Sequence, residues 1–399
     1  MSVRERNPFR PGNGIVPPVL AGRDAALNSF ARLLDENLRG LPRNLMLYGL
    51  RGTGKTVLLQ VFRQICEEKG WLLVEREFNE RYRDEEVFAE ALLQDLTAAA
   101  SRISLVKRAK QVGKEVAELL KPEELEVLGV RYKPFYRSRK IPLEDHLKNH
   151  LVDNWKVFAS AAEEVHGLVF LYDEFHTVRD VEPNFPLASL LGGLAHAQRT
   201  GCRYILVVSG LPNMKANMKE AKTYVERMFR FEEVGNLGSE DAKKAIEEPI
   251  VKAGIAFDPK VIEAIVRETR GYPYFLQFYG YYLVETLNRE RVSVSDYEKV
   301  HAGMLEELDR SFFEDRFEQA SDAEQDVLFA VARLGEDNVK TSDISRKCKQ
   351  YYQTLMSSLN RLIDKNLIYK ARKGRYSFAL PLFRDFLLRK LSKSKQNYA

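Results

Sequence analysis

The eight residues from Gly49 to Thr56 carry the most specific chemistry in this sequence. They read Gly-Leu-Arg-Gly-Thr-Gly-Lys-Thr and match G-x-x-x-x-G-K-[ST], the pattern of a phosphate-binding loop (P-loop). Glycines permit backbone angles that turn successive N–H groups inward around phosphate oxygens. Lys55 is expected to reach the β and γ phosphates, and Thr56 to ligate Mg²⁺. The predicted ATP or ADP contacts are Gly49, Leu50, Arg51, Gly52, Thr53, Gly54, Lys55, Thr56 and Val57.

A second group of polar residues follows apolar, strand-like runs. Residues 168–172 lead directly into Asp173 and Glu174, and ligands bind beyond the carboxyl ends of strands in parallel sheets. Asp173 is predicted to hold magnesium through water, and Glu174 to be the base or water-positioning group for hydrolysis. Ser209 or Asn213 is a candidate to lie between the attacking water and the γ-phosphate. A loop-capping role for Ser209 is the alternative.

Short apolar segments are predicted to be the strands that position these residues. Helical stretches separate them, and continuous apolar strands alternating with helices indicate a parallel sheet covered on both faces. The fold class is therefore α/β. The predicted strands are 44–48, 71–77, 167–173, 203–209 and 230–234.

The chain is expected to have four parts. The first is rich in Pro, Gly and Arg, the third has a purely helical pattern, and the fourth has the element order of a winged helix-turn-helix. The parts are an extended N-terminal arm at 1–20, the α/β core at 21–236, a helical lid at 237–315 and a winged-helix domain at 316–399.

Residues 101–150 interrupt the core pattern with a basic insertion. Residues 101–140 contain 11 basic and five acidic residues, with Tyr132, Phe135 and Tyr136 interleaved. This composition suits a nucleic-acid or partner contact. An amphipathic helical insertion packed on the core is an equal alternative.

Composition favours a globular protein of a reducing compartment. The chain has 399 residues, 45% of them hydrophobic and 30% charged, which is enough for more than one core. Its three cysteines lie far apart and form no CxxC pair, so we expect a cytoplasmic location. No apolar run approaches the roughly 20 residues of a membrane helix. We therefore expect that the protein has no membrane partner.

Positive charge is concentrated near the C-terminus. Residues 340–399 contain 15 Lys and Arg against three Asp, a net charge of +12, whereas the whole chain carries +5. Such asymmetry favours a polyanion partner, here double-stranded DNA. A winged helix would contact DNA through its second helix and its hairpin wing. The predicted DNA contacts are Lys347, Lys349, Tyr352, Gln353, Ser357, Arg361, Arg372, Lys373 and Arg375.

Several segments together resemble one family. They are Gly22-Arg23-Asp24, the P-loop, Phe170 to His176, Leu206 to Asn213, Glu226 to Leu237, and Arg270 to Gly280. Over roughly residues 15–300 the chain resembles AAA+ ATPases of the origin-initiator and STAND-related branch. The segment that follows is similar to the C-terminal DNA-binding domain of archaeal initiators. The resemblance implies a P-loop AAA+ sheet core, a helical lid and a C-terminal winged helix.

The resemblance also implies further site residues. Val19, Leu20 and Arg23 would contact adenine, and Arg227 or Arg230 would be an arginine finger on the nucleotide of a neighbouring subunit. An ion pair with Glu226 or Glu233 is the alternative for these arginines. Gly271 to Phe275 lacks the lid arginine of many AAA+ proteins and is closer to the Gly-x-Pro element of STAND ATPases. Pro273 is therefore a candidate ADP contact.

The leading hypothesis is an initiator-like ATPase whose nucleotide state controls its assembly or its engagement of DNA. A finger supplied by a neighbour implies a homo-oligomer on ATP binding and slow turnover in a monomer. One alternative is a STAND-type signalling or defence ATPase whose winged helix contacts a protein partner. Another is a transposition-targeting ATPase that assembles on DNA.

Overall fold

The computed structural model describes residues 2–112, 142–159, 165–335, 337–348 and 351–396. The chain divides into two compact units, which we call the helical unit and the sheet unit. The helical unit comprises Met1–Gly22, Leu50–Thr53 and Gly235–Ala399, and the sheet unit comprises Arg23–Gly49 and Gly54–Val234.

The sheet unit is built on a five-stranded parallel sheet. The strand order is β2-β3-β4-β1-β5, so β3 and β4 are neighbours and β4 also pairs with β1. The sequence correctly predicted the α/β class, and its strand limits differ from these by at most one residue at each end. The strands are β1 Asn44–Tyr48, β2 Leu72–Glu77, β3 Leu168–Asp173, β4 Tyr204–Gly210 and β5 Phe229–Glu233.

Helices connect these strands, as parallel crossovers require. The helix that begins at Lys55 follows the P-loop directly and buries Leu58, Leu59 and Phe62. The helices of the sheet unit are α1 Asp24–Leu38, α2 Lys55–Glu68, α3 Glu85–Val112, α4 Leu143–Ala159, α5 Pro186–Arg199, α6 Met214–Ala221 and α7 Val225–Met228.

A buried polar network links β3 to β2 and α3. The hydroxyl of Tyr172 donates to Asp95 on α3 at 2.8 Å, and Arg76 on β2 pairs with the same carboxylate at 2.6 Å. Burial raises the pKa of Tyr172 well above its usual value, so the hydroxyl stays protonated and remains a donor. The network therefore ties α3, β2 and β3 together one residue before Asp173.

The last part of the basic insertion, from residue 143, belongs to the helix α4, which packs on the core. Leu143, Leu147 and Leu151 of α4 are buried, and a Cβ on Gly192 of α5 would lie 2.3 Å from Glu144. Glycine at this position permits the two helices to approach closely. The stretch 113–141, including all three interleaved aromatic residues, lies outside the described residues.

The helical unit has one large apolar core shared by all its helices. The segment 239–310 was predicted to be purely helical, but it also contains a short parallel pair, β6 with β7. A π-helical turn, Asp309–Phe313, follows its fourth helix. The elements are α8 Ser239–Lys252, β6 Ala256–Phe257, α9 Pro259–Thr269, α10 Pro273–Leu287, β7 Arg291–Val292, α11 Val294–Leu308 and α12 Glu314–Glu318.

The C-terminal part of this unit has the element order expected for a winged helix-turn-helix. Strands β8, β10 and β9 form an antiparallel sheet in that order. Leu355, Leu359 and Leu362 are fully buried on the inner face of the helix 352–364. The elements are α13 Asp322–Leu334, β8 Val339–Lys340, α14 Thr341–Cys348, α15 Tyr352–Asp364, β9 Ile368–Arg372, β10 Arg375–Phe378 and α16 Phe383–Gln396.

The N-terminal arm is anchored on the helical unit by one buried ring. Phe9 is 2% exposed and touches Gly280 of α10, where a Cβ would lie 2.5 Å from the Phe9 ring. Arg6 donates to the Ala253 carbonyl at 2.9 Å and pairs with Glu290 at 2.8 Å. Residues 4–6 form a 3-10 turn, so the arm is not wholly irregular as predicted.

We expect Phe9→Ala to destabilise the chain by about 3 kcal/mol or more, because it removes a ring from a filled core. The measurement is urea or thermal unfolding of the full chain. Phe185→Ala is the matched control, since Phe185 is 46% exposed. Equal losses in the two variants would contradict the anchoring role.

Candidate functional site

The P-loop has the backbone conformation that its glycines permit. Gly52 and Gly54 have φ values of +72° and +94°, in the left-handed region where a Cβ is strained. Gly54 is the N-cap of α2, so the loop leads straight into a helix N-terminus with its positive potential. Lys55 is buried, and its ammonium donates to the Gly49 carbonyl at 3.0 Å.

Asp173 accepts hydrogen bonds from the hydroxyl groups of Thr56 and Ser209. Its Oδ2 accepts from the Thr56 hydroxyl at 2.6 Å, and its Oδ1 accepts from the Ser209 hydroxyl at 2.6 Å. The parallel pairing of β3 with β4 places these side chains at the carboxyl edge of the sheet. The structure thus brings together Asp173, Thr56 and Ser209, which are far apart in the sequence.

The oxygen ligands at this position fit magnesium. Mg²⁺ prefers hard oxygen donors, takes few of them from the protein and keeps several waters. A threonine hydroxyl and a carboxylate in direct contact supply such a set. Thr56 and Asp173 would hold the ion, which would neutralise charge on the β and γ phosphates.

Glu174 stands in a strained backbone conformation next to Asp173. Its φ is +51°, which is uncommon for a residue with a Cβ and costs of order 1–3 kcal/mol. Its amide donates to Asp173 Oδ1 at 2.8 Å, and its Oε2 lies 3.5 Å from Nδ1 of His176. Such strain at the end of a strand is typical of functional sites. The side chain is partly exposed, as a water-activating carboxylate requires.

Ser209 and Asn213 differ from each other in their surroundings. Ser209 lies inside β4 and is fully buried. Its hydroxyl donates a hydrogen bond to Asp173, so it does not cap the loop. Asn213 is exposed ahead of α6 and makes no side-chain cap. The described contacts of Ser209 make it a residue that orients Asp173. A direct role on water stays a prediction.

The two candidate finger arginines are held differently. Arg230 pairs with Glu36 at 2.6 Å, a partner that the sequence did not suggest. Arg227 has an exposed side chain, and Glu226 beside it pairs with Lys219. Arg227 is therefore the more accessible of the two, and the finger role of either stays a prediction.

Tyr272 contacts the tip of the P-loop within the helical unit. Its hydroxyl donates to the Arg51 carbonyl at 2.7 Å. A Cβ on Gly52 would lie 2.0 Å from the Tyr272 hydroxyl oxygen. Burial raises the pKa of Tyr272, which keeps the hydroxyl protonated as a donor. Sequence reasoning missed this residue, although it stands between Gly271 and Pro273 in a segment already singled out.

The residues predicted to contact adenine or ADP include two at the starts of helices. Arg23 is the N-cap of α1 and Pro273 the first residue of α10. Val19 and Leu20 are half-buried. Their contact with adenine stays a prediction.

The candidate DNA contacts are mostly exposed on the C-terminal part. Lys349 lies outside the described residues, and Arg375 is half-buried with its guanidinium on the Asn338 carbonyl at 2.9 Å. Arg361 donates to Ser357 at 2.9 Å on the outer face of α15. The exposed candidates are Lys347, Tyr352, Gln353, Ser357, Arg361, Arg372 and Lys373.

Residues 19–208 match the AAA ATPase domain family. This match covers the P-loop, Asp173 and Glu174. The sheet and the site together support a P-loop nucleotide-binding domain of the ATPase type. Its nucleotide-binding part is similar to AAA ATPase domains, and residues 310–387 match a family described as a domain of unknown function (DUF8462).

One solved structure shares this fold at low sequence identity, and two others are more distantly similar. The Walker-type ATPase PABY2304 of Pyrococcus abyssi is 19% identical, with a TM-score of 0.53, over 90% of this chain and 95% of that chain. The ADP form of the Aeropyrum pernix ORC2 protein is 16% identical, with a TM-score of 0.48, over 97% of both chains. The Aeropyrum pernix ORC1 protein in complex with DNA is 18% identical, with a TM-score of 0.43, over 95% of this chain and 94% of that chain.

No curated protein matches this chain. Among the residues that the structure describes, no helix combines the length and the apolar character needed to cross a membrane.

We expect Lys55→Ala to weaken ATP binding by roughly tenfold to hundredfold, because a charge-assisted hydrogen bond to phosphate is lost. The measurement is a titration with a fluorescent ATP analogue. Lys69→Ala is the control, since Lys69 lies at the other end of α2 and pairs with Asp35 at 3.6 Å. Unchanged affinity in Lys55→Ala would refute the assignment.

Proposed function

We propose that this chain is an ATP-dependent switch that binds double-stranded DNA through its C-terminal part. The ATPase site supports the nucleotide half of this proposal. The observation that carries the DNA half is the concentration of exposed basic and polar side chains on α15 and on the turn between β9 and β10.

The outer face of α15 is exposed, whereas its inner face packs in the core. Gln353, Ser357 and Arg361 are exposed, whereas Leu355 and Leu359 are fully buried. Side chains of these polar types serve both phosphates and base edges. The helix can therefore contact DNA without disturbing its own packing.

The β9–β10 turn adds two exposed cations. Arg372 and Lys373 stand at its tip, and Gly374 follows with a φ of +69°, which only glycine adopts without strain. Arg375 is held on the Asn338 carbonyl, which fixes the base of the turn. This geometry supports phosphate contact by a hairpin wing.

Turnover is expected to be slow. Glu174 supplies the water-activating carboxylate. Thr56 and Asp173 would hold a Mg²⁺ ion, which would neutralise charge on the phosphates. A finger arginine must come from another subunit, and the exposed Arg227 is our candidate. The ATP form then favours a homo-oligomer, and hydrolysis releases it. We propose that this cycle controls DNA engagement.

A protein partner is the second candidate for the same surface. Tyr351 and Tyr352 are 89% and 64% exposed at the start of α15, and tyrosine is enriched in protein interfaces. In this alternative the C-terminal part reports the nucleotide state to another protein.

Glu174→Gln is expected to keep ATP affinity and to lower turnover by about 10² to 10⁴, the contribution of a positioned general base. Phosphate release and ATP binding are measured on the same preparation. Glu77→Gln is the control, since Glu77 is exposed and pairs in register with Asp173 on the neighbouring strand. Equal turnover in wild type and Glu174→Gln would refute the role.

Changing Arg372 and Lys373 together to Ala is expected to weaken DNA binding and to reduce the slope of log K against log salt by about 2, one unit per lost phosphate contact. Fluorescence anisotropy with duplex DNA at several salt concentrations measures both. The control pair is Lys244→Ala with Lys252→Ala, two exposed lysines of α8. Absent or salt-insensitive binding in the wild type would favour the protein partner.

A further inference from the structure

Tyr351 is the most exposed large apolar or aromatic side chain among the residues that the structure describes. Its exposed fraction is 89%, and that of its neighbour Tyr352 is 64%. Tyr351 is the N-cap residue of α15, and its carbonyl accepts the Leu355 amide at 3.0 Å. The exposed ring therefore belongs to the first turn of a hydrogen-bonded helix.

Tyrosine gives this helix start no local advantage. Tyr351 makes no side-chain cap, whereas Ser, Thr, Asp or Asn at an N-cap bonds an amide of the first turn. Two other helices of the same unit are capped in this way. Asp258 accepts from the Lys260 amide at 2.8 Å at the start of α9, and a serine caps α11. Tyr351 gives up such a cap and leaves an aromatic ring in water, so local stability does not account for it.

Exposed cations stand on the elements beside α15. Lys347 is exposed on α14, which precedes α15 in the chain. Arg372 and Lys373 are exposed at the end of β9, which packs against α15, and in the turn after it. This turn is fixed on α14, because the amide and the hydroxyl of Thr341 both donate to the Gly374 carbonyl, at 3.0 and 3.1 Å.

This combination of charge and aromatic surface suits nucleic acid. Residues 340–399 contain 15 Lys and Arg against three Asp, and such a balance is complementary to phosphates. An exposed aromatic ring beside cations is the arrangement on which bases stack in proteins that bind single strands. The charge of this part therefore favours nucleic acid over a protein as the partner of Tyr351.

The position of Tyr351 on α15 indicates which bases it contacts. The N-terminal residues of a recognition helix are those that reach the bases. In a duplex the base faces are covered by stacked neighbours, so the groove offers only base edges. Gln353 and Ser357 suit such edges and are exposed further along the same helix. An aromatic ring can bury its face only on a base that has left the stack.

We propose that the Tyr351 ring stacks on an unpaired base, and that the DNA bound by the C-terminal part is a duplex bordered by unpaired bases, as at a fork. The exposed cations contact phosphates of the paired part, and Tyr351 contacts the first base beyond it. This inference rests on the DNA binding proposed above and names the kind of DNA.

The experiment compares Tyr351→Ser, Tyr351→Leu and Tyr351→Phe with the wild-type full chain. Fluorescence anisotropy measures the affinity for a paired duplex and for a forked duplex of the same paired sequence, at one salt concentration. A 2-aminopurine at the first unpaired position reports stacking by loss of its fluorescence. Serine supplies a cap, leucine keeps apolar area without an aromatic face, and phenylalanine keeps the face without the hydroxyl.

The wild type is expected to bind the fork about fivefold to hundredfold more tightly than the paired duplex, which is the contribution of one stacked base. Tyr351→Ser loses this preference and keeps the affinity for the paired duplex. Its melting temperature equals or exceeds that of the wild type, because the helix gains a cap. Tyr351→Phe keeps most of the preference and of the 2-aminopurine quenching, and Tyr351→Leu loses most of both.

Tyr281→Leu is the matched control, since Tyr281 is 40% exposed on α10, and it is expected to bind both DNAs as the wild type does. Equal affinity of the wild type for fork and duplex, or a preference that survives in Tyr351→Ser or Tyr351→Leu, overturns the inference and leaves DNA binding intact. A wild type that binds neither DNA overturns the proposed DNA binding as well and leaves the protein partner as the occupant of this surface.

Discussion

The carboxylate of Asp173 is the constraint on which the rest of the site depends. Asp173 is the last residue of β3, and its carboxylate accepts hydrogen bonds from Thr56 on α2 and from Ser209 on β4. Ser209 is fully buried, so its hydroxyl needs a partner inside the protein, and Asp173 is that partner. One side chain therefore fixes the P-loop helix and two strands relative to each other. The two residues proposed to hold magnesium, Thr56 and Asp173, are therefore already in contact within the fold.

The opposite face of β3 gives the same strand a second anchor. Successive side chains of a strand point to opposite faces, so Tyr172 is directed away from the site that Asp173 faces. Its hydroxyl meets Asp95, which also holds Arg76. Removing one partner from a buried network leaves the others unsatisfied, at a cost of roughly 1–3 kcal/mol each. The position of Asp173 is thus held by polar contacts on both faces of the sheet.

Local pattern was sufficient for the sheet and for the P-loop. The strands β1, β3 and β4 are buried on both faces, so each is a nearly continuous apolar run. The P-loop needs glycines at fixed spacing. The partner of Ser209 was not predictable, because it depends on β3 lying beside β4. Phe9 was assigned to an extended arm for a similar reason: its binding place is Gly280, which lies far along the chain.

The two halves of the P-loop are prepared for nucleotide to different degrees. On the metal side, Thr56 and Asp173 are already satisfied by each other, and Lys55 rests on the Gly49 carbonyl. At the tip, the Tyr272 hydroxyl holds the Arg51 carbonyl. A phosphate chain would therefore gain little new order on the metal side. A ligand shifts a conformational equilibrium only by its differential affinity for the two states. Because Tyr272 directly precedes α10, a change in the backbone at Arg51 would act first on the start of that helix.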